Sequence, residues 1–362
     1  MKPKIQTFLL FACAISCLSG FSPALAQAPA SQADAGRISD TLKTVAYPRA
    51  LYPNGLMPDW DRGFVLHYEF EENDTPDTPM VEVYDAEGVR VREGRIWPKG
   101  AAAVRIRRTA ATHEGAILAA GWAIMQDKSI QHYLVKTDLD GATIQTLLTG
   151  SFASEQICEA PEGTVWSLGK SVEPDGTPQH DVGVLQHFSL EKGLLHSFLP
   201  VGTVEALVRS NKPWFSPFLS FVRCGKNKVS VYLNFTNEYA EVDTSTFEVT
   251  RWKLDASVSL QRDVNGLAIT DDGRVFMSFD PNVKPGLPPL RGLYQVKAVA
   301  GRPVAQLMPV SGTVNALEPG TVPTPESFVM LFGADGNQLV VWRTGYGSST
   351  LCWVNVVQSD TD

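Results

Sequence analysis

Short runs that alternate hydrophobic with polar residues extend from about residue 60 to the end of the chain. Successive side chains of a β-strand point to opposite faces, so a period of two predicts strands rather than helices. The runs are also rich in Val, Phe, Trp and Tyr, which are residues favoured in strands. The pattern therefore predicts an all-β protein. Representative runs are GFVLHYEF (63–70), MVEVYDAEG (80–88), KVSVYLNF (228–235), RVFMSF (274–279) and FVMLFG (328–333).

Turn residues between these runs recur at a nearly constant spacing. Successive members of one series are 53, 52, 53 and 55 residues apart, and a second series lies between them. Each period of roughly 50 residues thus holds two hairpins, or four antiparallel strands, which is the composition of a β-propeller blade. A two-sheet sandwich would not explain this period. The turn residues are Gly88, Gly141, Gly193, Thr246 and Gly301 in the first series, and Gly115, Gly163, Asn227 and Gly273 in the second.

The spacing predicts a β-propeller of six four-stranded blades in a domain spanning residues 41–362. A seven-bladed ring is the alternative, although the chain is short for seven blades of this length. The segment TVAYPRAL (44–51) has two interpretations. It supplies an inner strand of the first blade, or the N-terminal region instead completes the last blade. The expected blades are 41–97, 101–150, 152–200, 217–254, 264–309 and 312–357.

Large aromatic side chains recur in the second strands of the expected blades. Such side chains fill the space between twisted sheets, so we expect them to be core residues rather than ligand platforms. They are Trp122, Trp166, Tyr232 and Phe276.

The N-terminus has the three parts of a secretory signal peptide. Lys2 and Lys4 precede an apolar segment, and small residues at Ala24 and Ala26 predict cleavage after Ala26. Residues 27–40 then form a flexible lead-in, and the mature protein is expected in the periplasm or secreted. No later segment of the sequence has the length and hydrophobicity of a transmembrane helix.

Charge disfavours nucleic acid or anionic lipid as a partner. The chain carries a formal net charge of −8, and removal of its two N-terminal lysines takes the charge to −10. Binding to either partner requires a basic surface.

Three cysteines follow the expected cleavage site without a CxxC motif. The first interpretation is that Cys158, Cys224 and Cys352 are small buried residues, and a Cys158–Cys224 disulfide is the alternative.

Loop lengths predict which end of the blades binds a ligand. The turns within hairpins lie at one end and are tight, whereas the connections at the other end are long, where binding residues are usually found. The longest connection, residues 201–219, carries Trp214 and Phe215. These aromatics either contact a partner or a ring-shaped ligand such as a sugar, or fold back and plug the channel mouth.

Polar residues near the start of the innermost strands are expected to surround the channel mouth at the same end. Alignment on the hairpin glycines places Arg107, Glu155 and Asn265 at equivalent positions, and the match of VNAL to VNGL adds Asn315. Glu155, Asn265 and Asn315 offer oxygen ligands for a divalent cation such as Ca²⁺, whereas Arg107 suits a carboxylate. The alternative is that these side chains only line a water-filled channel.

The segment VNGLAITDDGRVFMSFD (264–280) resembles a blade of the gluconolactonase-type lactonases and, more loosely, NHL-type propeller repeats. The resemblance implies that Asn265 is a metal ligand, as the Asn of this motif is in the lactonases. The family's opening Glu-Gly-Pro motif is absent, and PNGLMPDWDRG (53–63) stands near its place. Glu155 would then have to supply a carboxylate from another blade.

No catalytic motif accompanies the predicted fold. The histidines lack HxH or HExxH spacing, and GxSxG is absent. The sequence therefore favours an exported propeller without a cofactor that binds a small ligand or an envelope protein through its long-loop end. The alternative is a metal-dependent lactonase or hydrolase with its cation site at the channel mouth.

Overall fold

The computed structural model consists of β-strands, which confirms the all-β prediction for the residues it describes. No membrane-spanning helix occurs among these residues. The expected signal peptide and most of the lead-in lie outside them. The structure describes residues 36–47, 59–60, 64–67, 81–84, 89–112, 114–173, 179, 182–200, 220–234, 236–255, 264–279, 293–311, 328–345 and 348–357.

The described strands form antiparallel groups of four, each of which we call a quartet. The first three quartets are separate sheets in which each strand pairs with the next along the chain. They are β2–β5 (Asp59–Trp60, Phe64–His67, Val81–Tyr84, Arg90–Gly94), β6–β9 (Ala101–Ala111, Ile117–Met125, Ile130–Thr137, Thr143–Gly150) and β10–β13 (Phe152–Glu159, Val165–Ser171, Gly183–Ser189, Gly193–Pro200).

The remaining three quartets belong to one larger sheet because their outer strands touch through short parallel pairings. One pairing includes Lys253 and Val304, and the other includes Gly36 and Val310. These quartets are β14–β17 (Phe221–Cys224, Lys228–Leu233, Glu238–Asp243, Val249–Leu254), β18–β21 (Val264–Ile269, Val275–Phe279, Leu293–Lys297, Val304–Ser311), and β22–β24 (Phe328–Asp335, Gln338–Gly345, Ser348–Val357) together with β1 (Gly36–Tyr47).

Strand β1 is the fourth strand of the last quartet. It pairs antiparallel with β24 from Arg37 opposite Val357 to Tyr47 opposite Ser349. Of the two interpretations of the N-terminal region, the structure thus supports completion of the last quartet. The strand begins at residue 36, so residues 36–40 are not a flexible lead-in, because their backbone already pairs with β24 and β21.

Tight turns close the first hairpins at the positions that the sequence predicts. The amide groups of Gly115, Gly163 and Gly273 each donate to the carbonyl three residues earlier. Their φ angles are 80°, 80° and 82°, a conformation in which a side chain on Cβ would be strained.

The first strands of the quartets follow one another in space as they do in sequence. Among the described strands, β2 contacts β6, and contacts continue through β10, β14 and β18 to β22. Strand β22 in turn contacts β2, so the series closes on itself.

Hydrophobic clusters lie between successive quartets and form the core. In one cluster Trp166 of the third quartet packs with Val231 of the fourth. In another, Phe276 of the fifth quartet packs with Leu339 of the last. Trp166, Tyr232 and Phe276 are buried, as expected for the aromatics of second strands. Trp122 differs, because it is only partly buried.

A disulfide between Cys158 and Cys224 joins the first strands of the third and fourth quartets. The expectation that both are simple buried thiols is therefore wrong. Their sequence separation of 66 residues gives a loop whose closure stabilises the folded chain by about 4 kcal/mol in the chain-entropy description. Cys352 is fully buried in the cluster between the fifth and last quartets, as expected.

Candidate ligand-binding site

Arg107, Glu155 and Asn265 occupy the same kind of position, since each lies at a β-bulge in the first strand of its quartet. In β6 the pairing with β7 steps from Ile106 to Arg108 and skips Arg107. The pairing of β10 skips Glu155, and that of β18 skips Asn265. A bulge inserts one extra residue and redirects its side chain, which is why bulges are frequent beside functional sites.

Glycines on the neighbouring strand make room for two of these bulges. A Cβ atom on Gly121 would lie 1.9 Å from the carbonyl oxygen of Arg105. A Cβ atom on Gly169 would lie 2.2 Å from the carbonyl oxygen of Ala153. Both distances are far below van der Waals contact. The bulged backbone comes so close to the neighbouring strand that only glycine fits at these two positions.

The other predicted site residues are not brought together by the described part of the chain. In β22 the bulge residue is Phe332, whose side chain is buried. Asn315 lies outside the described residues, as do Trp214 and Phe215. Their roles as site residues stay predictions.

A cavity of about 230 Å³ lies between the second and third quartets and contains both Arg107 and Glu155. Val172 directly follows β11 and Ile130 begins β8, so the cavity is at the end where second strands connect to third strands. This is the end that loop length assigned to binding. The lining residues are Arg107, Gly121, Trp122, Ile130, His132, Ala153, Ser154, Glu155, Lys170 and Val172.

Ser154 and Glu155 both line the cavity although they are consecutive in a strand. Consecutive side chains normally point to opposite faces, and the bulge between Ser154 and Gln156 removes that alternation. The Ser154 side chain is 3% exposed, and its Oγ has no hydrogen-bond partner among the described residues. A buried hydroxyl without a partner costs free energy, so this atom is suited to a ligand or to water.

Glu155 is a buried carboxyl group facing three cationic side chains. It is 8% exposed, and the influences on its pKa are burial and nearby positive charges, with no hydrogen bond among them. Burial raises the pKa of Glu155 above its ordinary value, and the positive charges of Arg107, Lys170 and Arg108 oppose this shift. The nearby cations therefore offset only part of the effect of burial on the pKa of Glu155.

His132 forms part of the same charged environment. Burial lowers its pKa, and the positive charges of Arg107 and Lys170 lower it further. The lowered pKa favours the neutral imidazole, so the other ionisable groups lining the cavity are the two cationic side chains and the carboxyl group of Glu155. Trp122, Ile130 and Val172 add apolar surface beside them.

Asn265 belongs to a different environment. Its Oδ1 accepts a hydrogen bond from the Ser278 hydroxyl, and the Ser278 Oγ accepts one from the backbone amide of Leu331. The Asn265 side chain thus takes part in a buried network that links the fifth and last quartets, and it does not line the cavity of Glu155.

The described part of the chain contains no group of three or more His, Cys, Asp or Glu side chains arranged to hold a metal ion. Arg107 and Lys170 also lie beside Glu155, and their positive charges repel a cation. The cavity is therefore suited to an organic ligand with hydrogen-bonding groups better than to Ca²⁺.

Of the lining residues, sequence reasoning predicted only Arg107 and Glu155 as site residues. The polar and aromatic ones that it missed are Trp122, which was expected in the core, His132, Ser154 and Lys170. Lys170 had a detectable signal, since β11 follows the Gly163 turn and Lys170 pairs with Ala153 beside the bulge. Ser154 had none, because regular alternation places it on the face opposite to Glu155. Only the bulge brings the two side chains to one cavity.

No known family model and no curated protein matches this sequence. Solved structures include distant similarities, among them gluconolactonases and a luciferin-regenerating enzyme. The chain is 12% identical to that enzyme, with 87% of this chain and 94% of the other covered and a TM-score of 0.44. It is 11% identical to a gluconolactonase of Xanthomonas campestris, with coverages of 88% and 91% and a TM-score of 0.41. It is 8% identical to U3-55K, with coverages of 89% and 85% and a TM-score of 0.45.

Proposed function

We propose that this chain is an exported six-bladed β-propeller that binds a small polar ligand in the cavity between its second and third quartets. In this proposal each quartet is one blade. The antiparallel order within each quartet and the closed series of contacts among the first strands support the arrangement.

One observation supports ligand binding above the others. The cavity contains the hydroxyl group of Ser154, whose Oγ is buried without a hydrogen-bond partner in the described part of the protein, beside the largely buried carboxyl group of Glu155. Buried polar groups are nearly always satisfied, so exceptions in a cavity are suited to bind an additional molecule. Arg107 and Lys170 add charged groups that would orient this molecule.

Export is supported by two independent features. The N-terminal sequence has the basic, apolar and small-residue parts of a signal peptide. The Cys158–Cys224 disulfide is the kind of bond that persists in an oxidising compartment. We therefore propose that the protein acts in the periplasm or outside the cell.

We prefer binding to the metal-dependent lactonase alternative because of the surroundings of two residues. That alternative needs Glu155 and Asn265 to share a cation with Asn315. Glu155 instead lies among cationic side chains, and the Oδ1 of Asn265 accepts a hydrogen bond from Ser278.

The test combines a ligand screen with a variant that fills the cavity. The full chain, purified after export, is screened by thermal shift and calorimetry against sugars, sugar acids, amino acids, nucleosides and inorganic phosphate. Ala153 lines the cavity, so Ala153→Phe should abolish binding of any solute bound there. The exposed Ala142 lies in a turn outside the cavity, so Ala142→Phe should leave binding unchanged.

Saturable binding that Ala153→Phe abolishes and Ala142→Phe preserves would support the proposal. The absence of binding by any solute, or equal binding by both variants, would overturn it.

A further inference from the structure

The charged groups of the cavity suggest which chemical class of ligand it binds; this step rests on the proposed function. Glu155 is a buried carboxyl group, whereas Arg107 and Lys170 are cations that line the same cavity. A simple anion would pair with Arg107 but would provide no positive charge for the buried carboxyl group of Glu155. A simple cation would do the reverse and would lie beside two like charges.

A zwitterion satisfies both sets of groups at once. Charge-assisted hydrogen bonds between an ammonium group and a carboxylate are about twice as strong as neutral ones. Arg is also suited to a ligand carboxylate, because its planar guanidinium group can donate two parallel hydrogen bonds. The Ser154 hydroxyl provides a further buried donor or acceptor.

The apolar surface and the volume restrict the ligand further. Trp122, Ile130 and Val172 line the cavity beside the charged groups, so the ligand has an apolar part as well. The volume of about 230 Å³ is below the range of roughly 300–1,000 Å³ that is typical for drug-sized ligands. A molecule the size of a single amino acid fits this volume.

We propose that the cavity binds a free α-amino acid with an apolar side chain: its carboxylate at Arg107 and Lys170, its ammonium group at Glu155 and its side chain against Trp122. The positive charge of the bound ammonium group stabilises ionised Glu155, whose pKa is raised in the unliganded protein. Affinity therefore rises with pH as Glu155 ionises.

Calorimetry at pH 7.5 with an amino acid and two analogues, each of which lacks one of its charged groups, tests the proposal. They are phenylalanine, 3-phenylpropionate, which lacks the amine, and phenethylamine, which lacks the carboxylate. Phenylalanine should bind at least about tenfold more tightly than either analogue, because each analogue leaves one buried or charged group without its partner. Binding of 3-phenylpropionate that is as tight as that of phenylalanine, or tighter, would overturn the inference of a zwitterionic ligand and would indicate an anion-binding cavity.

Variants of Glu155 and Arg107 should separate the ligand's ammonium contact from its carboxylate contact. Glu155→Gln should weaken phenylalanine binding about 10- to 100-fold and leave binding of 3-phenylpropionate unchanged or stronger. Arg107→Gln should weaken both carboxylate probes and spare phenethylamine. Lys192 is exposed in the turn between β12 and β13, so Lys192→Gln should change none of these affinities. Phenylalanine binding that Glu155→Gln does not weaken would overturn the assignment of the ammonium group.

The ligand screen distinguishes failure of this inference from failure of the proposed function. If the amino acids do not bind but another solute does, and Ala153→Phe abolishes that binding, the amino-acid inference is overturned and the binding function stands. If no solute binds, both are overturned.

Discussion

Glu155 has an energetic cost that follows from its position at the bulge. The carboxyl group is removed from water, and its partial compensation by Arg107, Lys170 and Arg108 does not cancel the effect of burial on its pKa. A group that destabilises the folded protein in this way is more readily explained by ligand binding than by folding.

The pH dependence of stability should reveal this cost. Because the pKa of Glu155 is raised on folding, its stabilising contribution is complete below the ordinary value of 4.5 and is lost as the pH rises through the raised value. Glu155→Gln removes this loss, so its Tm should exceed that of the unsubstituted protein by about 1–2 °C at pH 7. The difference should disappear below pH 4.5.

Thermal melts from pH 4 to pH 8 measure this effect. Glu191→Gln serves as the control, because Glu191 is exposed in the turn between β12 and β13. A lower Tm for Glu155→Gln at pH 7 would mean that the cations stabilise ionised Glu155 more than burial destabilises it.

Sequence alone located Arg107 and Glu155 but not the reason for their proximity. Counting residues from hairpin glycines identifies equivalent positions, because the turn fixes the register of each hairpin. It does not reveal a bulge, which depends on how two backbones approach. The bulge position of β22 holds Phe332, whereas Asn315, selected by the match of VNAL to VNGL, lies outside the described residues and stays a prediction.

At the scale of the strand pair, a bulge and the glycine opposite form one structural unit. Gly121 lies on β7 where the carbonyl of Arg105 approaches, beside the bulge at Arg107. The hydroxyl group of Tyr133 also lies near Gly121, and it donates a hydrogen bond to the Arg105 carbonyl. The space beside Gly121 is therefore limited by the backbone of Arg105 as well as by the side chain of Tyr133.

Gly121→Ala should therefore destabilise the protein by about 1–3 kcal/mol or more, because the backbone of β6 must move to admit the new methyl group. The matched control is Gly94→Ala. A Cβ atom there would have its nearest neighbours at 3.4 Å, which is ordinary contact. Urea unfolding should show a lower midpoint for Gly121→Ala alone, and similar midpoints for the two variants would contradict the close approach.

The hairpin turns could be predicted from sequence better than the disulfide. A turn such as that at Gly273 is encoded within a few residues, and positive φ explains why glycine is used. Cys158 and Cys224 are 66 residues apart, and their pairing depends on the third and fourth quartets being neighbours. With three cysteines after residue 26, sequence alone does not decide which two meet.

At the scale of the whole molecule, the last quartet combines the two ends of the chain. Strand β1 pairs with β24, so the contacts that complete the last quartet involve residues more than 300 positions apart. The sequence left two interpretations of this region, because a single strand can pair with either neighbour when it lies between two incomplete sheets.

A cysteine introduced into β1 would test this closure directly. Thr44 lies opposite Cys352 in the antiparallel pairing of β1 with β24. Opposite residues of antiparallel strands have Cα atoms roughly 4.5–5.5 Å apart, which is within the range that a disulfide spans. Thr44→Cys should therefore form a disulfide with Cys352 on oxidation, detected as a loss of two thiols and a change in electrophoretic mobility.

The same cross-link should raise the Tm by several degrees relative to the reduced variant, because it closes a loop of roughly 300 residues in the unfolded chain. Thr41→Cys is the matched control, since Thr41 lies opposite Val354 and not opposite a cysteine. If Thr44→Cys left both thiols reactive in the folded, oxidised protein, β1 would not complete the last quartet. The first of the two interpretations of the N-terminal region would then be preferred.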